Sequence, residues 1–236
     1  MAHQRTVYVV DHDLETRRSL TINLAAIGAE AWPFGGGGEF LEIIGHLMPG
    51  CILLDMDAGD GLDILAALMR RETGWPVLAM SAHPEVAVAV EAMKLGALDF
   101  LEKPVEAPKL AAALIPAWNA LEASLEKGEA RRVAQDRLAR LTARELDISL
   151  ALYAGRSNKA VAHELGISVR TVEMHRAHIM AKLQVKSLAE AAMLAPQAGL
   201  RVASATGAPA PSRTAQAAAG ADCRAQLSAL ARRLAP

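Results

Sequence analysis

Apolar and polar positions change rhythm in regular blocks along the first half of the chain. Short apolar, β-branched runs stand at residues 6–10 (TVYVV), 51–54 (CILL), 76–80 (PVLAM) and 98–101, with a weaker candidate at 30–34. Residues 14–27 place Leu14, Leu20, Leu24 and Ile27 at helical spacing, and the same rhythm returns over 62–69, 86–95 and 109–121. Five strands alternating with helices predict an α/β fold, a doubly wound parallel sheet covered on both faces. In such a sheet, chemistry gathers at the carboxyl ends of the strands.

The second half carries a different pattern. Residues 119–136 are charged, alanine-rich and free of proline, and read as a helical linker. Leu114, Leu121 and Leu125 give too few heptads to separate a plain spacer from a coiled coil. Residues 137–195 hold several short helices and no strand. Thr142 with Glu145 forms a capping box, Gly155 ends the first helix, Ser157 caps a second over 158–165, Gly166 makes a tight turn, and Ser168 caps a third running to Leu183. Two short helices joined by a glycine turn make a helix-turn-helix. Beyond Pro196 the composition shifts to Ala, Pro, Gly and Ser, which predicts a disordered tail over 196–236, with a short helix offered at 222–234. The expected domains are therefore 1–118, a linker over 119–136, 137–195 and the tail.

Composition adds four constraints. Aromatic residues are only 3 % of the chain, so the cores are expected to be aliphatic. The two cysteines, Cys51 and Cys223, are far apart, which argues against a disulfide framework and for a reducing compartment. No apolar run reaches the roughly 18 residues of a membrane span, and no signal peptide opens the chain, so a cytoplasmic protein with no membrane partner is expected. The net charge of -1 looks wrong for a nucleic-acid binder until it is divided. Residues 1–106 carry -9, 107–136 are neutral, 137–195 carry +4 and 196–236 carry +4.

The acidic excess has a focus. Asp11, His12 and Asp13 follow the first strand, Asp55 and Asp57 the third, Ser81 the fourth, and Lys103 with Pro104 the fifth. Clustered carboxylates are tolerable around a hard cation such as Mg²⁺, and a lysine with a hydroxyl can hold a phosphoryl group. This constellation resembles the receiver domain of two-component response regulators over residues 6–118, on the segments VVDHD, CILLD, LAMSAH, AVEAMKLGALDF and LEKP. The resemblance implies that Asp55 accepts phosphoryl from a sensor histidine kinase and that Asp11 and Asp55 hold Mg²⁺, with His12, Asp13 and Asp57 as further candidate ligands. It also implies that Ser81 and Lys103 contact the phosphoryl group, that Lys103 precedes a cis-proline position, and that Phe100 is the aromatic switch. Phosphorylation adds nearly two negative charges. Ser81 and Lys103 would answer them by moving, and the repacked surface would dimerise.

Two departures stand out. His12 replaces the family's second acidic residue, and Mg²⁺ prefers oxygen ligands. The run from Asp55 to Gly61 is also two residues shorter than the family's usual loop. The glycine run 35–38 is unusual as well and is expected to make a flexible loop before the second helix.

The third helix of the second half can be faced at about 100° per residue. With Ile179 inward, Val172, His175 and Leu183 share its side. Arg170, Glu173, Met174, Ala177 and Ala181 lie opposite, flanked by Thr171, Arg176, His178 and Lys182. That outer face suits a major groove, with the flanks reaching phosphates. His163, His175 and His178 match no zinc spacing. The segment LTARE…GRSNKAVAHELGISVRTVEMHRAHIMAKL…KSLAE is similar to the LuxR-type DNA-binding domain. The similarity implies four helices, the last over 187–194 making dimer contacts, and DNA-backbone roles for Asn158, Lys159 and Ser168. Together the two resemblances point to a FixJ/NarL-type response regulator. It would be a homodimer that binds promoter DNA at half-sites about one helical turn apart. The rival reading keeps DNA binding but makes the first domain a pseudo-receiver that works without phosphorylation. A Mg²⁺-dependent phosphohydrolase using Asp55 and Asp57 would leave the helix-turn-helix unexplained, so no enzyme is expected.

Overall fold

A computed structural model describes residues 5–153 and 155–199. The chain divides into two compact units, 1–126 and 127–236.

In the first unit the elements run β1 (Thr6–Val10), α1 (Leu14–Ala26), β2 (Glu30–Phe34), α2 (Gly37–Ile43) with a short 3-10 turn, β3 (Cys51–Asp55), α3 (Gly61–Arg70), β4 (Val77–Ser81), α4 (Val86–Leu95), β5 (Asp99–Glu102) and the start of α5 (Ala107–Ala139). The five strands form one parallel sheet in the order β2-β1-β3-β4-β5, the doubly wound topology expected. β1, β3 and β4 are buried along their whole length, as a sheet covered on both sides requires. Leu20, Leu24, Leu53, Leu78, Leu110 and Leu114 fill the core on one face.

The other face departs from the expected aliphatic core. Tyr8 stacks on Trp75 at 5.4 Å between ring centres, and Phe34 and Phe40 pack at its edge. Four of the chain's eight aromatic rings therefore gather in one cluster. Composition averages over the chain and does not report clustering. The Tyr8 hydroxyl donates to the Met48 carbonyl at 2.6 Å, which satisfies its one buried polar group.

The glycine run also behaves differently from expectation. Gly37 and Gly38 form the first turn of α2 instead of a loop. A Cβ on Gly37 would lie 2.5 Å from Ile64 Cγ1, so glycine lets α2 close onto α3.

Helix α5 continues without a break through the residues expected to be a separate linker, and its last turns belong to the second unit. There α6 (Ala143–Tyr153), α7 (Asn158–Leu165), α8 (Val169–Leu183) and α9 (Leu188–Gln197) enclose a core of Leu138, Ile148, Leu152, Val161, Val172, Ile179, Leu183 and Leu194. The last helix outruns its predicted end: Pro196 and Gln197 are helical, Ala198 is buried, and its carbonyl accepts from Gln135 Nε2. The first four residues of the expected tail are thus folded, because Ala198 completes the same apolar core. The expected disorder beyond them and the helix at 222–234 lie outside the described residues. Among the described residues no helix is long and apolar enough to cross a membrane.

Candidate functional site

Parallel strands deliver the ends of β1, β3, β4 and β5 to one edge, and the charged residues meet there. Asp11 is 1 % exposed, Asp55 3 % and Ser81 2 %. The Lys103 ammonium is the hub: it lies 2.6 Å from Asp55 Oδ1, 2.8 Å from Asp11 Oδ2 as an ion pair rather than an aligned hydrogen bond, and 3.5 Å from Asp57 Oδ2. Burial alone would lower the Lys103 pKa, but Asp11 and Asp55 outweigh it and raise the value. The Lys103–Pro104 peptide is cis, at the position expected for it.

His12 Nδ1 stands 2.5 Å from Asp55 Oδ2, with its side chain 55 % exposed. Asp11, His12 and Asp55 can each point a ligand atom to one place, with those atoms within 4.8 Å of one another. The two buried carboxylates fit a hard divalent cation, whereas the imidazole is the wrong donor for Mg²⁺.

Asp13 and Asp57, the other candidate ligands, are engaged elsewhere. Asp13 caps α1: its Oδ2 accepts from the Thr16 N–H at 2.9 Å and the Thr16 hydroxyl at 2.7 Å. Those bonds hold its carboxyl below the usual range. Its backbone N–H donates to Asp11 Oδ1 at 2.8 Å, so Asp13 also steadies the Asp11 carboxylate. The Asp57 carboxylate turns toward β4. Its Oδ1 accepts from the Ser81 hydroxyl at 2.6 Å and its Oδ2 from the Ala82 N–H at 2.7 Å. Burial pushes the Asp57 pKa up, but Ala82, Ser81 and Lys103 more than reverse this and lower it. Sequence reasoning missed Ala82, which acts through its backbone and leaves no side-chain signal. Phe100 is half-buried against the aromatic-lined core beneath this edge.

Gly61 makes the short β3–α3 connection workable. A Cβ there would lie 2.7 Å from the Asp55 carbonyl oxygen and 2.8 Å from Met56 Cα.

In the second unit, the capping box is reciprocal. Glu145 Oε2 accepts from the Thr142 N–H at 2.8 Å, and the Glu145 N–H donates to Thr142 Oγ1 at 3.3 Å. Ser157 accepts from the Ala160 N–H, and Ser168 from the Thr171 N–H at 3.0 Å. Gly166 turns between α7 and α8 at φ 63°. On α8, Val172, Ile179 and Leu183 are buried, and Arg170, Glu173, Met174, Ala177, His178 and Ala181 are exposed, the facing expected from helical geometry. Thr171 and Arg176 are half-buried at its flanks. Lys159 is exposed on α7 and Asn158 half-buried beside it.

Lys182, a flanking residue expected to reach a phosphate, also pairs within the fold. Its ammonium lies 2.7 Å from Glu145 Oε2, tying α8 to the start of α6. Burial would raise the Glu145 pKa, but Lys182 and Thr142 together hold it at about 2.

Comparison with known proteins matches these two regions separately. Residues 7–115 match the response regulator receiver domain, and residues 139–195 match the bacterial regulatory proteins of the luxR family. The chain is 41 % identical over 199 residues to the transcriptional regulatory protein FixJ of Bradyrhizobium diazoefficiens, covering 82 % of this chain and 96 % of that one. It is 36 % identical to the transcriptional regulatory protein TdiR of Thauera aromatica, over 77 % of this chain and 81 % of that one. Among solved structures it resembles the response regulator StyR at a TM-score of 0.66 and 34 % identity, covering 82 % of this chain and 99 % of that one.

Proposed function

The chain belongs to the two-component response regulators that join a receiver domain to a LuxR-type DNA-binding domain, and on that footing we propose that phosphorylation of Asp55 controls its binding to promoter DNA as a homodimer. The observation that carries this reading is the buried Asp55 carboxylate held 2.6 Å from the Lys103 ammonium at the strand edge. Asp55 would attack the phosphorus of a phosphohistidine on a sensor kinase. A P–O bond forms to Asp55, the P–N bond breaks, and the histidine leaves with a proton.

Asp11 and Asp55 are the residues that would hold Mg²⁺, which would neutralise charge on the incoming phosphoryl group. His12 would have to turn aside, and its exposure permits that. Lys103 screens the two carboxylates and remains to pair the new anion. Asn158, Lys159 and Ser168 would meet the DNA backbone. The exposed face of α8, with Arg170, Glu173, Met174 and Ala177, would enter the major groove, flanked by Thr171, Arg176 and His178. The protein would act in the cytoplasm. The pseudo-receiver alternative draws no support from the comparisons.

The test is promoter output and Asp55 phosphorylation together. Purified protein with Mg²⁺ and acetyl phosphate should gain one phosphoryl group, Asp55→Asn should gain none, and Asp55→Asn should change promoter output at equal protein level. No phosphoryl gain from acetyl phosphate or a cognate kinase would overturn phospho-control while leaving DNA binding intact.

A further inference from the structure

Beside Asp55, three groups converge that can donate to one place: the Ser81 hydroxyl, the Ala82 N–H and the Lys103 ammonium. Such a set is built for an anion. In this chain an anion already fills it. Asp57 Oδ1 takes the Ser81 hydroxyl at 2.6 Å, and Oδ2 takes the Ala82 N–H at 2.7 Å with Lys103 at 3.5 Å. The His83 N–H donates to Ser81 Oγ at 3.0 Å, which leaves the Ser81 proton to point at Asp57. Ser81 is therefore held in its engaged orientation by the protein's own carboxylate. The Asp57 side chain is 21 % exposed, at the solvent rim of the strand edge, and its contact with Ser81 is half-buried.

The sequence explains how Asp57 comes to be there. It sits two residues beyond Asp55, where β3 has ended, in a loop that Gly61 closes tightly against the Asp55 backbone. The Asp57 N–H donates back to Asp55 Oδ1 at 3.0 Å, which fixes the turn and sends the side chain across to β4.

We propose that Asp57 is a built-in occupant of the phosphoryl-binding donors: it holds Ser81 and Lys103 engaged without phosphorylation and must swing out before Asp55 can take a phosphoryl group. The proposal rests on the phospho-acceptor reading of Asp55 for its second half only. Asp57 then acts as a positioning residue that sets how strongly the unmodified and phosphorylated states differ. A regulator built this way holds part of its engaged arrangement at rest and gains less from the signal.

The experiment uses the full chain in three forms: wild type, Asp57→Ala, and Asp60→Asn, which removes the same charge from the same loop at an exposed position. Backbone amide resonances of Ala82, His83 and Phe100 are recorded without phosphodonor. In Asp57→Ala the Ala82 signal should move upfield as its carboxylate partner is lost, with His83 and Phe100 following, while Asp60→Asn matches wild type. With Mg²⁺ and acetyl phosphate, the initial rate of phosphoryl gain should rise roughly tenfold in Asp57→Ala, the scale set by the net strength of one or two displaced hydrogen bonds. Should Asp57→Ala fold poorly, Asp57→Asn keeps the shape, loses the charge and should move both readouts in the same direction by less. Amide signals that do not separate from those of Asp60→Asn would overturn the proposal, as would, where the wild type is phosphorylated, a rate in Asp57→Ala no higher than wild type. Amide movement with no phosphorylation in any form would uphold the occupant and sink phospho-control, so the two readings fail separately.

Discussion

The Glu145–Lys182 pair makes the second unit's stability depend on acid in a window that can be calculated. Glu145 is 4 % exposed and holds both the α6 capping box and the α8 ammonium. Its pKa falls from the ordinary 4.5 to about 2 on folding. A depressed folded pKa stabilises the native state above the unfolded value and loses that stabilisation as pH falls toward the folded one. The shift of about 2.5 units sets a ceiling of about 3.4 kcal/mol at neutral pH, of which about 1.4 kcal/mol remains at pH 3. Lys182 is 38 % exposed, so solvent screens the pair and we expect about 2 kcal/mol at neutral pH. The contribution should be flat above pH 5 and fall between pH 4.5 and 2. The assay is amide hydrogen exchange of α6 and α8 peptides in the full chain, which isolates this unit from the receiver. Glu145→Gln should weaken protection at pH 7 by that amount, by roughly two fifths of it at pH 3, and converge on wild type only as the pH falls below about 2. Equal losses at both pH values would show that folding does not lower the Glu145 pKa and that the ion pair carries no net stability.

Three further outcomes follow from single contacts. Gly61→Ala should destabilise the first unit by about 1–3 kcal/mol, because its Cβ would meet backbone atoms that cannot yield; wild-type stability in urea denaturation would refute the close approach. Ser168→Ala should cost about 1 kcal/mol by removing the α8 cap, and a melting curve that does not shift would show the cap to be idle. Arg170→Ala and Met174→Ala should change preference between DNA sequences by about 1–3 kcal/mol where the contact is good; equal losses on all sequences, read by fluorescence anisotropy, would place this face off the bases.

Periodicity was enough for the skeleton. β1 and β2 occupy the residues expected, and β3, β4 and β5 differ from expectation by a residue at their ends. Buried parallel strands are continuous apolar runs and leave a strong signal. The α8 face was legible for a related reason: caps at Ser157 and Ser168 fix where the helices start, and 100° per residue does the rest. What stayed hidden depends on tertiary packing. Gly37 looks like a loop residue until Ile64 is placed against it. The aromatic cluster assembles from β1, β2, α2 and the segment before β4, which no local window spans. At the site, residue types were readable and orientations were not. Asp13 and Asp57 are both aspartates beside a strand end, yet one caps a helix and the other crosses to Ser81.

The two unusual residues at the pocket do not weigh equally on phosphorylation. Asp55 offers two oxygens. Its Oδ1 is held by Lys103 at 2.6 Å and by the Asp57 N–H at 3.0 Å, so Oδ2 is the oxygen left to attack phosphorus. His12 covers that oxygen at 2.5 Å, which at first makes the histidine look like the main obstacle. Its side chain is 55 % exposed, however, and this contact exchanges for water at a net cost of about 1 kcal/mol. Asp57 must give up a hydroxyl, a backbone N–H and a lysine at once, and the Ser81 and Ala82 donors stay unsatisfied until the phosphoryl oxygens arrive. His12→Ala should therefore raise the acetyl phosphate rate by less than roughly tenfold and by less than Asp57→Ala does. If His12→Ala proves the larger effect, the barrier lies at the nucleophile and Asp57 is a bystander to it.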